Sequence, residues 1–98
     1  MIYSIEFLEG AKDDIKTFDR LQQILVIKQL KKISKSPELG SFLSNKNGYD
    51  LLGCRKMYAD GKKIRIVYKI IEDKIIIEVV TLGKRNEMEV YKKASQRI

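Results

Sequence analysis

Residues 63–82 read KIRIVYKIIEDKIIIEVVTL. Two runs rich in isoleucine and valine flank the polar pair Glu72-Asp73, the pattern of two β-strands joined by a tight turn. The runs 63–71 and 74–82 therefore read as the centre of a sheet. On the first, Ile64, Ile66, Tyr68 and Ile70 share one face, while Arg65, Val67, Lys69 and Ile71 share the other. The apolar set is core, so Arg65 projects from the opposite side of the sheet. Upstream, Asp60-Gly61 marks another hairpin turn. It makes roughly 49–58 a third strand, on which Lys56 and Tyr58 lie near Arg65 if they share its face.

Working outward, Tyr3, Ile5 and Phe7 alternate with Ser4 and Glu6, which is the period of a half-buried strand. From Gly10 the period changes, and Ala11, Ile15 and Phe18 form the stripe of a short helix. Asp19 with Gln22 resembles a capping box opening a second helix. Its apolar residues are Leu21, Ile24, Leu25, Ile27, Leu30 and Ile33, with Lys28, Lys31, Lys32 and Lys35 over much of the rest. Ser36-Pro37 ends it, because proline disfavours helical backbone in the residue before it. Residues 38–48 are polar, contain Gly40, Asn45, Asn47 and Gly48, and read as a loop. After Gly83, Asn86 with Glu89 suggests another cap, and Met88, Tyr91, Ala94 and Ile98 make one stripe of a final helix. The order is β-α-α-β-β-β-α: an α+β fold in a single domain, 1–98, with two N-terminal helices packed on a small, mostly antiparallel sheet.

The 98 residues are 44% hydrophobic, enough for one small core. The formal charge is +7, and residues 53–98, with twelve basic and six acidic side chains, carry nearly all of it. Such a cation attracts polyanions: nucleic acid, acidic proteins or anionic lipid. There is no histidine, which removes Ser-His-Asp and Cys-His machinery, the two-histidine ribonuclease scheme and almost any zinc site. Cys54 is the one cysteine, so an intrachain disulfide is impossible and a reducing compartment is natural. No run approaches the roughly 18 apolar residues of a membrane span, and residues 1–8 lack the form of a signal peptide. The expectation is a soluble cytoplasmic protein with no cofactor, no metal and no membrane partner.

Among 20 Lys/Arg most are solvated charge, and any one alone is inert more often than functional. Tyr68 reads as core, Tyr91 sits on an apolar stripe where packing competes with function, and Cys54 behaves by default as a small apolar residue. What stands out is grouping. Arg65, Lys56 and Tyr58 are placed by the hairpin. Gly83-Lys84-Arg85 leaves the next strand directly before a helix, and cations beside a helix N-terminus make an anion site. Arg55, Tyr58, Lys62, Lys63 and Lys84 are further candidates for contact with RNA.

Residues 53–98 resemble the C-terminal half of the RelE/ParE superfamily of bacterial toxins from toxin–antitoxin pairs. The likeness rests on IRIVYKI followed by a hairpin, then Gly83-Lys84-Arg85 with Val90-Tyr91, Ala94 and Arg97 downstream. The opening strand, the two helices and Ser36-Pro37 fit as well, so the resemblance covers nearly the whole chain. The second pattern is fairly specific to the RelE branch, whose fold is microbial-ribonuclease-like. That branch consists of mRNA interferases, which cleave messenger RNA in the ribosomal A site. The ribose 2′-hydroxyl attacks the adjacent phosphate, without metal, and leaves a 2′,3′-cyclic phosphate and a 5′-hydroxyl.

The resemblance implies roles by position. Arg65 grips phosphate and stabilises the transition state. Arg85 does the same and protonates the leaving group. Tyr91 stacks on or orients a nucleotide, and Lys56 is the first of two strand lysines. The second, a candidate base, is Tyr58 here, which leaves the base open between Lys62, Lys63, Tyr58 itself and Lys56, whose neutral form the cations of Arg65 and Arg85 favour. Where the family often has a basic residue, this chain has Glu87. The implied partners are the ribosome with its mRNA and a RelB-like antitoxin, an acidic-to-amphipathic protein forming higher-order complexes with a toxin that is monomeric when free. Two other readings share the fold: a non-enzymatic ParE-like inhibitor of DNA gyrase, and an inactive relative that only binds RNA or antitoxin.

Overall fold

The computed structural model describes residues 2–46, 48–84 and 87–98, with the backbone alone for Asn45, Lys46 and Glu87. In chain order its elements are β1 (Ser4–Phe7), α1 (Glu9–Lys16), α2 (Arg20–Lys35), β2 (Ser41–Phe42), β3 (Asn45–Lys46), β4 (Tyr49–Asp50), β5 (Cys54–Ala59), β6 (Ile64–Ile71), β7 (Ile76–Gly83) and α3 (Glu87–Arg97). Five strands form one sheet in the order β1-β7-β6-β5-β2, and β3 pairs with β4 separately. β1 runs parallel to β7, and the other pairs are antiparallel. The α+β architecture and the mostly antiparallel sheet agree with the sequence. Among the described residues no helix is long and apolar enough to cross a membrane.

Four local readings are corrected. The strand expected over 49–58 is two pieces, β4 and β5, because Gly53 between them takes φ +86°, outside strand geometry. The loop expected over 38–48 holds part of a 3₁₀ turn (Pro37–Leu39) and the short strands β2 and β3. β7 starts at Ile76 rather than Lys74 because Glu72–Lys74 form a 3₁₀ turn that closes with Ile75 at φ +56°. That conformation is unfavourable for a β-branched residue. Finally, the buried stripe of α2 is Val26, Leu30 and Ile33, whereas Leu21 (66%), Ile24 (45%) and Ile27 (39%) are exposed. The helix is apolar over more of its circumference than one sheet can cover. The Asp19–Gln22 capping box forms as read: Gln22 N donates to Asp19 Oδ1 at 2.8 Å, and Asp19 N to Gln22 Oε1 at 3.4 Å. The cap read at Asn86 lies outside the described residues.

The sheet is buried on both faces. On one, Ala11, Phe18, Val26, Leu30 and Ile33 from α1 and α2 pack on Ile64, Ile66, Tyr68, Ile77, Val79 and Leu82. On the other, Val90, Tyr91 and Ala94 of α3 join Leu43, Leu51, Cys54, Val67 and Val80. The register of β7 against β6 slips between Val67 and Tyr68, so Val80 is the extra residue of a bulge. The bulge shifts the alternation of β7 by one residue, so that Val79 and Leu82, three apart, face the same core.

One polar contact ties α3 to the rest. Arg97 donates from Nη1 to Asp14 Oδ2 at 2.6 Å and from Nη2 to Asp14 Oδ1 at 3.3 Å. Its Nη1 also reaches the Val80 carbonyl at 3.0 Å and Thr81 Oγ1 at 3.2 Å. Asp14 Oδ2 further accepts Leu82 N at 3.1 Å. The side chains are only 22% and 10% exposed, so removing one partner leaves a desolvated charge. Arg97→Ala is expected to cost about 3 kcal/mol of stability, measured as a lower urea midpoint with an unchanged m-value.

Candidate functional site

Strand register places three residues in one row across the sheet: Tyr58 on β5 faces Arg65 on β6, and Arg65 faces Gly83 on β7. The row lies on the α3 side. Cys54, Lys56 and Tyr58 alternate onto that face, as do Arg65 and Val67. β5 and β7 end and β6 begins at this edge, so the turn carrying Lys62 and Lys63 leaves from the same end of the sheet as Lys84.

Within the row, Lys56 Nζ donates to the Tyr58 hydroxyl at 3.1 Å. The same ammonium lies 5.1 Å from the centre of the Tyr58 ring, and the Arg65 guanidinium carbon 5.5 Å from it. Two cations thus flank one phenol within the range of cation–π attraction. The Arg65 Nε is buried, which holds the guanidinium close against the sheet. The hydrogen bond from Lys56 pulls the Tyr58 hydroxyl below its ordinary phenol value; burial opposes this, and the charges of Lys56 and Arg65 add to the lowering. The site makes the phenolate of Tyr58 less costly than that of a free phenol.

The other sequence candidates are distributed as follows. Lys62 and Lys63 are exposed on the turn, where Asp60 (φ +53°) and Gly61 (φ +67°) both take left-handed backbone. Lys84 is exposed and leans to the helix side, its Nζ 3.4 Å from Gln22 Oε1 and 5.4 Å from the Phe18 ring centre. Arg55 does not join the cluster. It faces Tyr68 in the register, on the α2 side of the sheet, donates to the Gly40 carbonyl at 2.8 Å and stacks on Phe42 at 3.8 Å. Strand alternation sends it away from Lys56. Tyr91 shares the face of the row but is 1% exposed, within the α3 core. It has the packing role its stripe suggested, so contact with a nucleotide requires α3 to shift. Arg85 lies outside the described residues, as does the side chain of Glu87. Burial pushes the Cys54 thiol up and suits it to packing.

Sequence reasoning missed the steric part played by Gly83. A Cβ there would stand 2.5 Å from Val90 Cγ2, so α3 crosses directly over the end of the row. The signal was present in the glycine between strand and Lys84, but only the contact gives it meaning. A cavity of about 460 Å³ between α1 and α3 is lined by Asp14, Phe18, Lys84 and Lys93 among others, and by none of Lys56, Tyr58 and Arg65.

No family model matches the chain. Over 98 residues it is 33% identical to a RelE-like toxin protein of Escherichia coli, covering 100% of this chain and 99% of that one. It is 28% identical over the same length to the mRNA interferase toxin RelE of E. coli strain K12, with the same coverage. An arginine-to-alanine double mutant of E. coli toxin RelE in the free state superposes with a TM-score of 0.79 at 26% identity, covering 100% of this chain and 99% of that one. The same mutant bound to a peptide of its antitoxin RelBc gives 0.72 at 25% identity, with equal coverage.

The contact of Gly83 with Val90 is open to test. Gly83→Ala is expected to push α3 off the sheet and cost about 1–3 kcal/mol. Adding Val90→Ala is expected to recover part of that loss, seen as a positive coupling in a double-mutant cycle of urea unfolding.

Proposed function

Because the chain belongs to the RelE family of toxins, we propose that it is the toxin of a type II toxin–antitoxin pair and an endoribonuclease that cuts messenger RNA in the ribosomal A site. The observation that carries this reading is the Lys56–Tyr58–Arg65 cluster on the α3 side of the sheet. The relative named an mRNA interferase supports the reaction class.

The chemistry is transfer of the phosphoryl group to the neighbouring 2′-oxygen. In the pentacoordinate transition state, negative charge grows on the phosphoryl oxygens. Preorganised cations stabilise that state more than the starting diester. Arg65 is assigned this role, with Arg85 of the Gly83-Lys84-Arg85 motif as the second guanidinium and Lys56 as a further positive charge. Neither arginine can act as a neutral base, since the guanidinium pKa is above about 12. Lys62, Lys63 and Lys84 surround the same end of the sheet and suit contacts with the RNA backbone, which position without reading sequence. Tyr91 of α3 is assigned to orienting a nucleotide once α3 shifts, since it is otherwise buried in the core. The ribosome supplies what the site lacks by holding the message in one geometry, an effect that can be worth many kcal/mol.

The partner is an antitoxin. The excess charge of residues 53–98 suits a segment rich in carboxylates, and the solved complex of a similar toxin with an antitoxin peptide supports this assignment. Such a segment covers the basic face or displaces α3, and either closes the site to RNA.

The test adds purified protein to ribosomes programmed with a defined message and maps the 3′ ends. Discrete cuts at the A-site codon with cyclic phosphate termini are expected. Arg65→Ala and Arg85→Ala are each expected to slow cleavage about a hundredfold or more, the loss typical of one oxyanion donor. Intact message together with inhibited DNA supercoiling would replace this reading with gyrase inhibition.

A further inference from the structure

We propose that Tyr58 is the general base, taking the proton from the attacking 2′-hydroxyl as its phenolate. The inference rests on the ribonuclease reading and assigns a group that reading leaves open. Three observations lead to it. Tyr58 stands in the same row as Arg65, the residue assigned to the phosphate, so a ribose beside that phosphate lies next to the phenol. Lys56 donates to the phenolic oxygen at 3.1 Å, an arrangement that strengthens when the oxygen becomes an anion. Of the other candidates, Lys62 and Lys63 are exposed on the turn beyond Ala59 rather than in the row, and Lys56 is engaged as the donor to the phenol.

The charged groups acting on Tyr58, among the described residues, are Lys56 from its own strand and Arg65 from β6. Both are cations, and both lower the cost of the phenolate. Its hydroxyl is accordingly more acidic than an ordinary phenol, which raises the fraction of active base near neutral pH.

The step balances as follows. The phenolate oxygen takes the proton of the 2′-hydroxyl, and the 2′-oxygen forms a bond to phosphorus. The bond from phosphorus to the 5′-oxygen breaks, and that oxygen leaves with its electron pair and takes a proton from solvent water. Tyr58 then returns its proton to solvent. No oxidant or reductant enters.

The experiment compares wild type, Tyr58→Phe and Lys56→Gln on programmed ribosomes from about pH 6 to pH 9. In parallel, the ultraviolet absorbance of tyrosinate is followed in the free proteins, and subtracting Tyr58→Phe from wild type isolates the titration of Tyr58. For wild type, the rate is expected to rise tenfold per pH unit and to level at the pKa that the absorbance gives for Tyr58. Tyr58→Phe keeps the ring and is expected to fold, to lose about 10²–10⁴ in rate and to lose that slope. Lys56→Gln is expected to move the kinetic limb and the absorbance midpoint together to higher pH. Normal cleavage by Tyr58→Phe would overturn the assignment and leave the ribonuclease reading intact. So would an inactive Tyr58→Phe when the wild-type rate does not follow the titration, since Tyr58 would then only position RNA. Failure of the wild type to cleave would overturn both.

Discussion

The pairing of Arg97 with Asp14 decides how much of the second sheet face remains open. Apolar packing between α3 and the sheet is non-directional, and Val90, Tyr91 and Ala94 would tolerate small slides. The guanidinium is not so tolerant, because it reaches Asp14, the Val80 carbonyl and Thr81 at once. Asp14 in turn holds Leu82 N. Three elements, α1, β7 and α3, therefore meet at one buried point. Slippage of the helix by one turn, about 5.4 Å, would break every one of these bonds and move Val90 off Gly83. Pinned at its far end, the helix crosses the Gly83 end of the rung and leaves Tyr58 and Arg65 half-buried.

The two faces of the sheet divide the labour. The α1–α2 face holds the larger core, including Tyr68, whose hydroxyl donates to the Pro37 carbonyl at 2.6 Å and accepts Gly40 N at 2.9 Å. This fixes the turn after α2 and thereby the edge strand β2, which lies beside Lys56. The α3 face holds a smaller core and places cations against its margin. Lys56 and Arg65 are brought together by backbone register rather than by mutual attraction, and their repulsion is an opposing cost that the hairpin supports. A phenol between them is one of few side chains that gains from both.

Much of this was legible in the sequence, and the reasons for the rest are specific. Alternation along 64–71 identified the core face and the side from which Arg65 projects, because strand period is strict. The same rule separates Arg55 from its neighbour Lys56 in any strand over 54–59, and only the pairing with β6 decides which of the two shares the face of Arg65. The α2 stripe was misjudged since Leu21, Ile24 and Ile27 are as apolar as Leu30 and Ile33, and composition cannot say which arc meets the sheet. The contact of Arg97 with Asp14 joins residues 83 apart in sequence, a distance at which no local pattern carries a signal. Tyr91 lay between two readings in the sequence, and its burial sides with packing.

The departure at position 58 becomes intelligible through charge. A lysine serving as base must be neutral, and neighbouring cations favour its neutral form. A tyrosine serving as base must be anionic, and the same cations favour its anionic form. One electrostatic environment therefore moves either side chain toward its basic state, so the exchange of lysine for tyrosine does not require the surrounding residues to be rebuilt. The two also agree after the proton has moved, since each gains one unit of positive charge, lysine going from neutral to cation and tyrosine from anion to neutral. Either base makes the field at the phosphoryl oxygens more positive as those oxygens gain charge, which is when stabilisation accelerates the reaction.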